Sequence, residues 1–282
     1  MMHWFIWKNK NSLRDFGLWI GKLPDIKRAP ERYDTVDIPG RAGQLIMLEG
    51  DDVYDSYDRK LTIITRNTNP KLQAALAWLR GTSDWLISNE PDKVYRARIV
   101  NEIDFIRLGN DLISGEVRFY CEPFKKATHE ATISLSANGS VYNPGDVAAK
   151  PLINVVKTGA AKIAVGQTSM EFYHLPGEVV IDCDAALITT KAKTFDSSAY
   201  YYIGDYANYA GDSSFSAGLY RFTSEGTGAS ATWEREGDII QDYEYIWPGA
   251  WDGEMLRIPT GKQTFTLTGS PALTITPRWR WV

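Results

Sequence analysis

The 282-residue chain has little sulfur, little histidine and no long apolar run. Its two cysteines, Cys121 and Cys183, lie far apart in sequence. That excludes a scaffold built on disulfides, and the expectation is two free, buried thiols in a protein assembled in a reducing cytoplasm. The three histidines, His3, His129 and His174, are isolated, with none at the spacing of a metal-ligand pair. No apolar stretch approaches the ~20 residues that a membrane-spanning helix needs. The opening MMHWFIWKNK puts apolar residues before basic ones and lacks a cleavage signature, so synthesis without a signal peptide is expected. Positive charge is also in short supply. A net charge of −4 argues against a basic nucleic-acid binder, though not against a channel through which nucleic acid slides without sticking. G-x-S-x-G, P-loop and dinucleotide glycine patterns are all missing, and with them the common routes to hydrolysis, phosphate binding and hydride transfer.

What the chain does have is aromatics and strand patterns. Its 10 Trp and 15 Tyr are more than a core needs, so some are expected at binding surfaces. The stretch RYDTVDIPGRAGQL, Arg32 to Leu45, organises the first half. Tyr33, Val36 and Ile38 sit among polar residues with the near-alternation of a half-buried strand. Pro39-Gly40 breaks the run, Arg41 follows on the turn, Gly43 permits a second bend, and Leu45 to Leu48 resume a strand. This spacing predicts a hairpin with a cation at its tip. Two readings stay open: a rigid tip that grips a neighbouring subunit at Pro39, Gly40 and Arg41, or an ordinary hairpin with a solvated arginine.

Around it, strands are predicted at His3–Trp7, Phe16–Ile20, Lys60–Thr65, Asp84–Ser88, Val94–Val100 and Leu112–Cys121, with a turn at Asn9–Ser12. One short helix is predicted, with Asn69 as its cap and Pro70 in its first turn. Leu72, Ala75, Leu76 and Leu79 form its apolar stripe, and Gly81 ends it. Pro123-Phe124 closes this half. Residues 126–150, rich in small and polar residues, read as a linker containing a strand at Ala131–Leu135. From Pro151 the pattern becomes short strands with tight turns: Leu152–Val156, Ala161–Val165, Ser169–Tyr173, Glu178–Cys183, Gln263–Thr268 and Ala272–Thr276. That spacing suggests a β-sandwich. The expected organisation is mainly β with one short helix: a domain over 1–125, a linker, and a sandwich over 151–282.

The regular spacing fails between about Ala192 and Gly249. Eight of the fifteen tyrosines fall there. Between Asp196 and Glu254, eleven Asp or Glu stand against Arg221 and Arg235, a net −9 that leaves +5 on the remaining chain. This reads as an insertion. Tyr200, Tyr201, Tyr202, Tyr206, Tyr209, Trp233 and Trp247 are its candidate docking residues, because Tyr and Trp offer large, rigid contact area.

Candidates for chemistry are few. Asp182 and Asp184 flank Cys183 and point to one face of a strand. Such a pair could do acid–base work, bind a cation, or simply mark a strand end in solvent. Asp51, Asp52, Asp55 and Asp58 lack the glycine and terminal glutamate of an EF-hand loop and read as a solvated acidic loop. No cofactor and no metal are expected.

Several segments taken together resemble the siphophage distal tail proteins: WKNKNSLRDFGLWI, KRAPERYDTVDIPGRAGQL, the helix, GTSDWLISNEPDKVYRARI, VRFYCEPF, NPGDVAAKPLINV, GEVVIDC and the ending GKQTFTLTGSPALTITPRWRWV. The resemblance covers most of the chain, with Ile-Pro-Gly-Arg as its most specific part. It implies a non-enzymatic virion protein at the tail tip, made in the host cytoplasm. The N-terminal half would be a β-rich belt that closes a hexameric ring, with Pro39, Gly40 and Arg41 in the ring-forming half. The C-terminal half would be an outward-facing galectin-like sandwich. The partners implied are further copies of the chain, the tail tube protein, the tail-tip or baseplate hub protein, and fibre or receptor-binding components. DNA would pass the lumen without specific binding, and no membrane would be involved. The segment from Ala192 to Gly249 is longer than the family's usual connection. The alternative reading is a carbohydrate-binding protein acting through the galectin-like half or its insertion; an enzyme using Asp182 and Asp184 is the third.

Overall fold

The computed structural model describes residues 2–50, 52–191, 193–238, 244–246 and 251–282, with the backbone alone for Pro176, Lys193, Gly237 and 244–246. The described chain is mainly β and falls into two compact units. The first comprises 1–129, 145–147 and 279–282, the second 130–144 and 148–278.

In chain order the first unit holds β1 (Phe5–Trp7), β2 (Lys10–Asn11), α1 (Ser12–Phe16), β3 (Trp19–Lys22), β4 (Tyr33–Val36), β5 (Leu45–Leu48), β6 (Tyr57–Arg66), α2 (Leu72–Trp78), β7 (Thr82–Ile87), β8 (Glu90–Ile99), β9 (Phe105–Arg107) and β10 (Leu112–Ala127). Its main sheet runs β2-β1-β7-β8-β10-β6-β3. A bridge between His3 and Ile20 brings β3 back to the strand that leads into β1, so the sheet curls into a barrel. Alternation dictates the interior: Tyr57, Arg59, Leu61, Ile63 and Thr65 of β6 are buried while their neighbours face out. Aromatic rings fill the centre. Trp85 stacks on Phe119 at 4.1 Å, Trp7 meets Phe119 edge-on at 5.4 Å, and Trp78 of α2 stacks on Phe16 at 4.3 Å. Arg59 is buried among them, 4.6 Å from the Tyr95 ring centre, and reaches Glu90 at 3.4 Å. Glu90 also accepts from the Tyr95 hydroxyl at 2.5 Å and lies 3.7 Å from Lys125. A buried cation is tolerated because a carboxylate and two aromatic faces replace its water.

Among the described residues there are two short helices where the sequence predicts one. At 12–16 the expected turn and strand give way to α1. Asn11 caps it by accepting from the Leu13 and Arg14 amides, and Asp15 accepts from the Asn11 amide in return. Gly17 ends it in the left-handed region at φ +66. The stripe of α2 is as expected with Trp78 added, but the helix starts at Leu72. Asn69 stands just ahead of it, accepting from the Lys71 amide at 2.9 Å and donating to the Phe16 carbonyl at 2.8 Å.

The second unit begins with β11 (Ile133–Leu135), β12 (Gly139–Asn143), β13 (Leu152–Val165), β14 (Thr168–Asp182) and β15 (Leu187–Lys191). Four predicted strands are in fact two long ones: β13 and β14 pair throughout, with a register shift between Gly159 and Ala161 that lets one hairpin serve two parts of the sheet. β16 (Lys193–Thr194), β17 (Tyr200–Tyr201), β18 (Tyr206–Tyr209), β19 (Gly218–Phe222), β20 (Gly226–Thr227) and β21 (Trp233–Gly237) follow. They form a four-stranded sheet, β16-β18-β19-β21, and a pair, β17-β20. β22 (Glu244–Ile246), β23 (Trp251–Gly253), β24 (Gly261–Thr268) and β25 (Ala272–Thr276) rejoin the host sheet. The self-contained insertion is therefore shorter than 192–249. Residues 244–246 pair with β15, Lys191 opposite Glu244, because a strand edge left by β15 needs a partner.

β26 (Arg280–Trp281) pairs with β10, so the last four residues belong to the first unit rather than to the sandwich half. Val282 is buried there, and Lys93 Nζ sits 3.4 Å from the Trp281 ring centre.

Cys121 and Cys183 are free and buried, and burial pushes both thiols up to about 12. Neither should react with a thiol reagent in the native protein at neutral pH, and both should react in guanidinium, as a colorimetric thiol titration will count.

Candidate assembly interface

The hairpin predicted around Pro39-Gly40-Arg41 is present, and its environment differs from the expectation. Among the described residues β4 and β5 pair only with each other, Tyr33 opposite Leu48, Asp34 opposite Met47, Thr35 opposite Ile46 and Val36 opposite Leu45. Opposite residues point the same way. One face carries Tyr33, Thr35, Ile46 and Leu48, the other Asp34, Val36, Leu45 and Met47. Tyr33, Val36, Ile38, Ile46, Met47 and Leu48 are between 40% and 62% exposed. The near-alternation of Tyr33, Val36 and Ile38 signalled a strand with one buried side; among the described residues no layer lies against either side.

The base of the hairpin is held. The Arg32 amide donates to the Val53 carbonyl at 3.0 Å, and the Asp55 amide to the Pro30 carbonyl at 2.9 Å. The Arg32 guanidinium pairs with Asp55 at 2.7 Å and reaches Glu49 at 3.6 Å, which raises its already high pKa. Tyr54 meets Phe124 edge-on at 5.7 Å. At the tip, Gly40 and Gly43 take φ of +84 and +80, conformations that L side chains rarely adopt. The Arg41 amide closes the turn on the Ile38 carbonyl at 3.1 Å. Pro39, Gly40 and Arg41 are all exposed.

The insertion's candidates separate into two groups. Tyr201 is core: it stacks on Phe222 at 4.0 Å, and its hydroxyl accepts from the Asp196 amide. Trp233 is half-buried in the same stack, 4.7 Å from Phe195 and 4.7 Å from Tyr220. Phe195 and Phe222, absent from the sequence reading, are the true centre. Their near-parallel ring planes could not be inferred from strands of two to five residues. Tyr209 is half-buried and donates its hydroxyl to Asp212; Tyr206 is half-buried as well. Tyr200 is exposed and Tyr202 half-exposed, the latter lying against His174 at 3.6 Å. Trp247 lies outside the described residues.

The carboxylate candidates do not converge. Asp182 accepts two bonds from Arg278, at 2.6 and 3.0 Å, and two more from the Asp184 and Ala185 amides. Asp184 turns away to Lys150 at 3.3 Å. In the acidic loop Asp55 belongs to Arg32, and Asp51 lies outside the described residues. Among the described residues no three His, Cys, Asp or Glu side chains group as a metal site, and no helix is long and apolar enough to cross a membrane.

No family model matches the chain, and no curated protein does. Among solved structures, the fold is similar to the crystal structure of SPP1 Dit (gp 19.1), described as a paradigm of the hub adsorption apparatus in phages that infect Gram-positive bacteria. The TM-score is 0.62 at 12% identity, over 100% of both chains.

The Asp182–Arg278 pair has a pH signature. The arginine's hydrogen bonds hold the carboxyl down at about 2, against an ordinary 3.8. Its contribution, at most about 2 kcal/mol after partial solvent screening, is therefore complete above about pH 4 and lost as pH falls toward 2. Urea unfolding of the wild type between pH 2 and 6 should show that slope, and Arg278→Ala should flatten it.

Proposed function

We propose that the chain is a structural subunit of a phage tail tip. Six copies close a ring that joins the tail tube to the tip or baseplate of a non-contractile tail, and DNA passes through the lumen without specific contacts. The observation that carries this reading is the β4–β5 hairpin, apolar on both faces and, among the described residues, covered on neither. A lone two-stranded hairpin is marginal in water. Burying Tyr33, Ile46 and Leu48 would contribute about 1.5–3 kcal/mol each, enough to make a neighbouring subunit part of the fold's own stability. The full-length likeness to a phage hub protein supplies the setting. Catalysis finds no support in Asp182, which is held by Arg278.

In this reading the second unit is a galectin-like sandwich that faces outward, and its insertion docks peripheral receptor-binding or fibre proteins. The −9 charge of the segment around it favours a partner with basic patches over the anionic polymers of a cell surface. A second reading, saccharide binding, draws on exposed Tyr200 beside Tyr202. Retention on immobilised tail proteins but not on host-wall glycans separates the two.

Light scattering at high protein concentration should give a mass close to six times the 31.7 kDa of one chain. A virion whose tail lacks the protein would end the proposal. Arg41→Ala should leave the monomer's circular dichroism unchanged while weakening assembly by on the order of 2 kcal/mol, the cost of leaving a buried partner unpaired. Unchanged assembly would return Arg41 to solvent.

Lys191 and Glu244 are paired residues, so their Cα atoms lie roughly 5 Å apart. Replacing residues 193–242 with a Gly-Ser-Gly linker should therefore preserve the fold and the ring but reduce attachment of peripheral tail proteins. Insolubility would make the segment core; full infectivity would remove its docking role.

A further inference from the structure

The insertion's run of three tyrosines divides by face. Side chains alternate along an extended chain, so Tyr200 and Tyr202 leave on the side opposite Tyr201. Tyr201 is buried, stacked on Phe222 at 4.0 Å, and its hydroxyl accepts from the Asp196 amide. It fixes the backbone on which its two neighbours stand. Past Tyr202 the chain is held again. The Tyr202 amide donates to the Asp205 carboxylate at 3.2 Å, and the Asp205 amide to the Tyr202 carbonyl at 3.0 Å. The Tyr200 and Tyr202 ring centres lie 5.0 Å apart with their planes at 62°, and the His174 ring of β14 lies 3.6 Å from Tyr202. Tyr173 and Ile203, the chain neighbours of His174 and Tyr202, are exposed as well.

Negative charge gathers at this corner. Tyr200 of β17 pairs with Thr227 of β20 and Tyr201 with Gly226, so one residue further on in that register Glu225 falls across from Tyr202. Asp205 is buried beneath. Partial burial raises the pKa of the Tyr202 hydroxyl, and Tyr200, Glu225 and Asp205 raise it further. The two basic residues between Asp196 and Glu254 are paired elsewhere, Arg221 with Glu236 at 3.9 Å and Arg235 with Asp238 at 2.6 Å.

We infer that the corner of Tyr200 and Tyr202 receives the guanidinium of an arginine on a partner protein. A cation there can lie within the ~6 Å of both ring centres over which an aromatic face attracts it. Arginine suits the corner better than lysine, because its flat, weakly hydrated head stacks on a ring while its fork reaches a carboxylate such as Glu225. A pyranose would need a broad, flat aromatic face. Here the two rings share no plane, and His174 lies against Tyr202. The inference rests on the docking reading of the insertion above and names the group that is recognised.

The probe is the peptide acetyl-Gly-Gly-Arg-Gly-Gly-amide, with citrulline in place of arginine as its neutral isostere. Tyrosine-ring NMR signals of the full chain are followed through each titration. The arginine peptide should shift the Tyr200 and Tyr202 signals and bind about fivefold more tightly than the citrulline peptide. Tyr200→Leu should remove that preference, Tyr200→Phe should keep it because the ring face does the binding, and Glu225→Gln should reduce it. Tyr200 and Glu225 are exposed, so these variants should fold, as circular dichroism will check. Equal binding of the two peptides, or no shift at either ring, overturns the inference. A shift with chitotriose and none with the arginine peptide makes the corner a sugar site and overturns it too. In assembled particles, Tyr200→Leu with Glu225→Gln should reduce attachment of peripheral tail proteins about fivefold. Normal attachment with that variant, where replacement of 193–242 abolishes it, overturns this contact and keeps the docking reading. Normal attachment after the replacement itself removes the docking reading, and this contact with it.

Discussion

A β-strand pair has two faces, and in water an apolar face must be covered. In the first unit the strands curl until their inner face meets itself, with Trp85, Phe119, Trp7 and Trp78 filling the space. In the second, β13 and β14 run on through a bulge and supply strands to two parts of a larger sheet. The insertion solves the problem on a smaller scale, stacking Phe195, Tyr201, Phe222 and Trp233 in near-parallel planes. The β4–β5 hairpin leaves the condition unmet on both of its faces among the described residues. Its anchoring at Arg32 and Tyr54 holds the exposed surface in place rather than letting it collapse. Exposed apolar surface held rigid in this way fits assembly better than pocket chemistry.

Much of this was legible in the sequence. Pro39-Gly40 and Gly43 marked the hairpin and its turn, because those conformations tolerate few other residues. The stripe through Leu72, Ala75 and Leu79 marked α2. The charge and tyrosine shift after Ala192 marked a segment with its own composition. What was not legible depended on contacts distant in the chain. Burial of β4 and β5 could not be read from alternation, since alternation says that two faces differ and not that a second layer exists. The short α1 was hidden because Asn11 and Asp15 resemble turn residues until their reciprocal hydrogen bonds are seen. The partner of Asp182, Arg278, lies almost a hundred residues away, so the sequence offered a strand end in solvent beside the acid–base and cation readings, and the ion pair that ties that end was not visible in it.

The likeness to SPP1 Dit at 12% identity is of a kind that fold physics allows. A barrel interior asks for bulky side chains at alternate positions and is indifferent to many exchanges among them. Surfaces carry the distinguishing information, and here the surfaces are unequal. The hairpin is apolar, while the insertion is acidic and aromatic.

The return of β26 to β10 bears on the order in which the chain folds during its synthesis. The edge of β10 at Lys125 and Lys126 waits for Arg280 and Trp281, roughly 150 residues later in translation. At ribosomal speeds of about 5–20 residues per second, that is a delay of roughly 8–30 s. Through that interval the first unit lacks a strand and the buried Val282. A nascent chain therefore reaches its finished first unit only after the second has emerged.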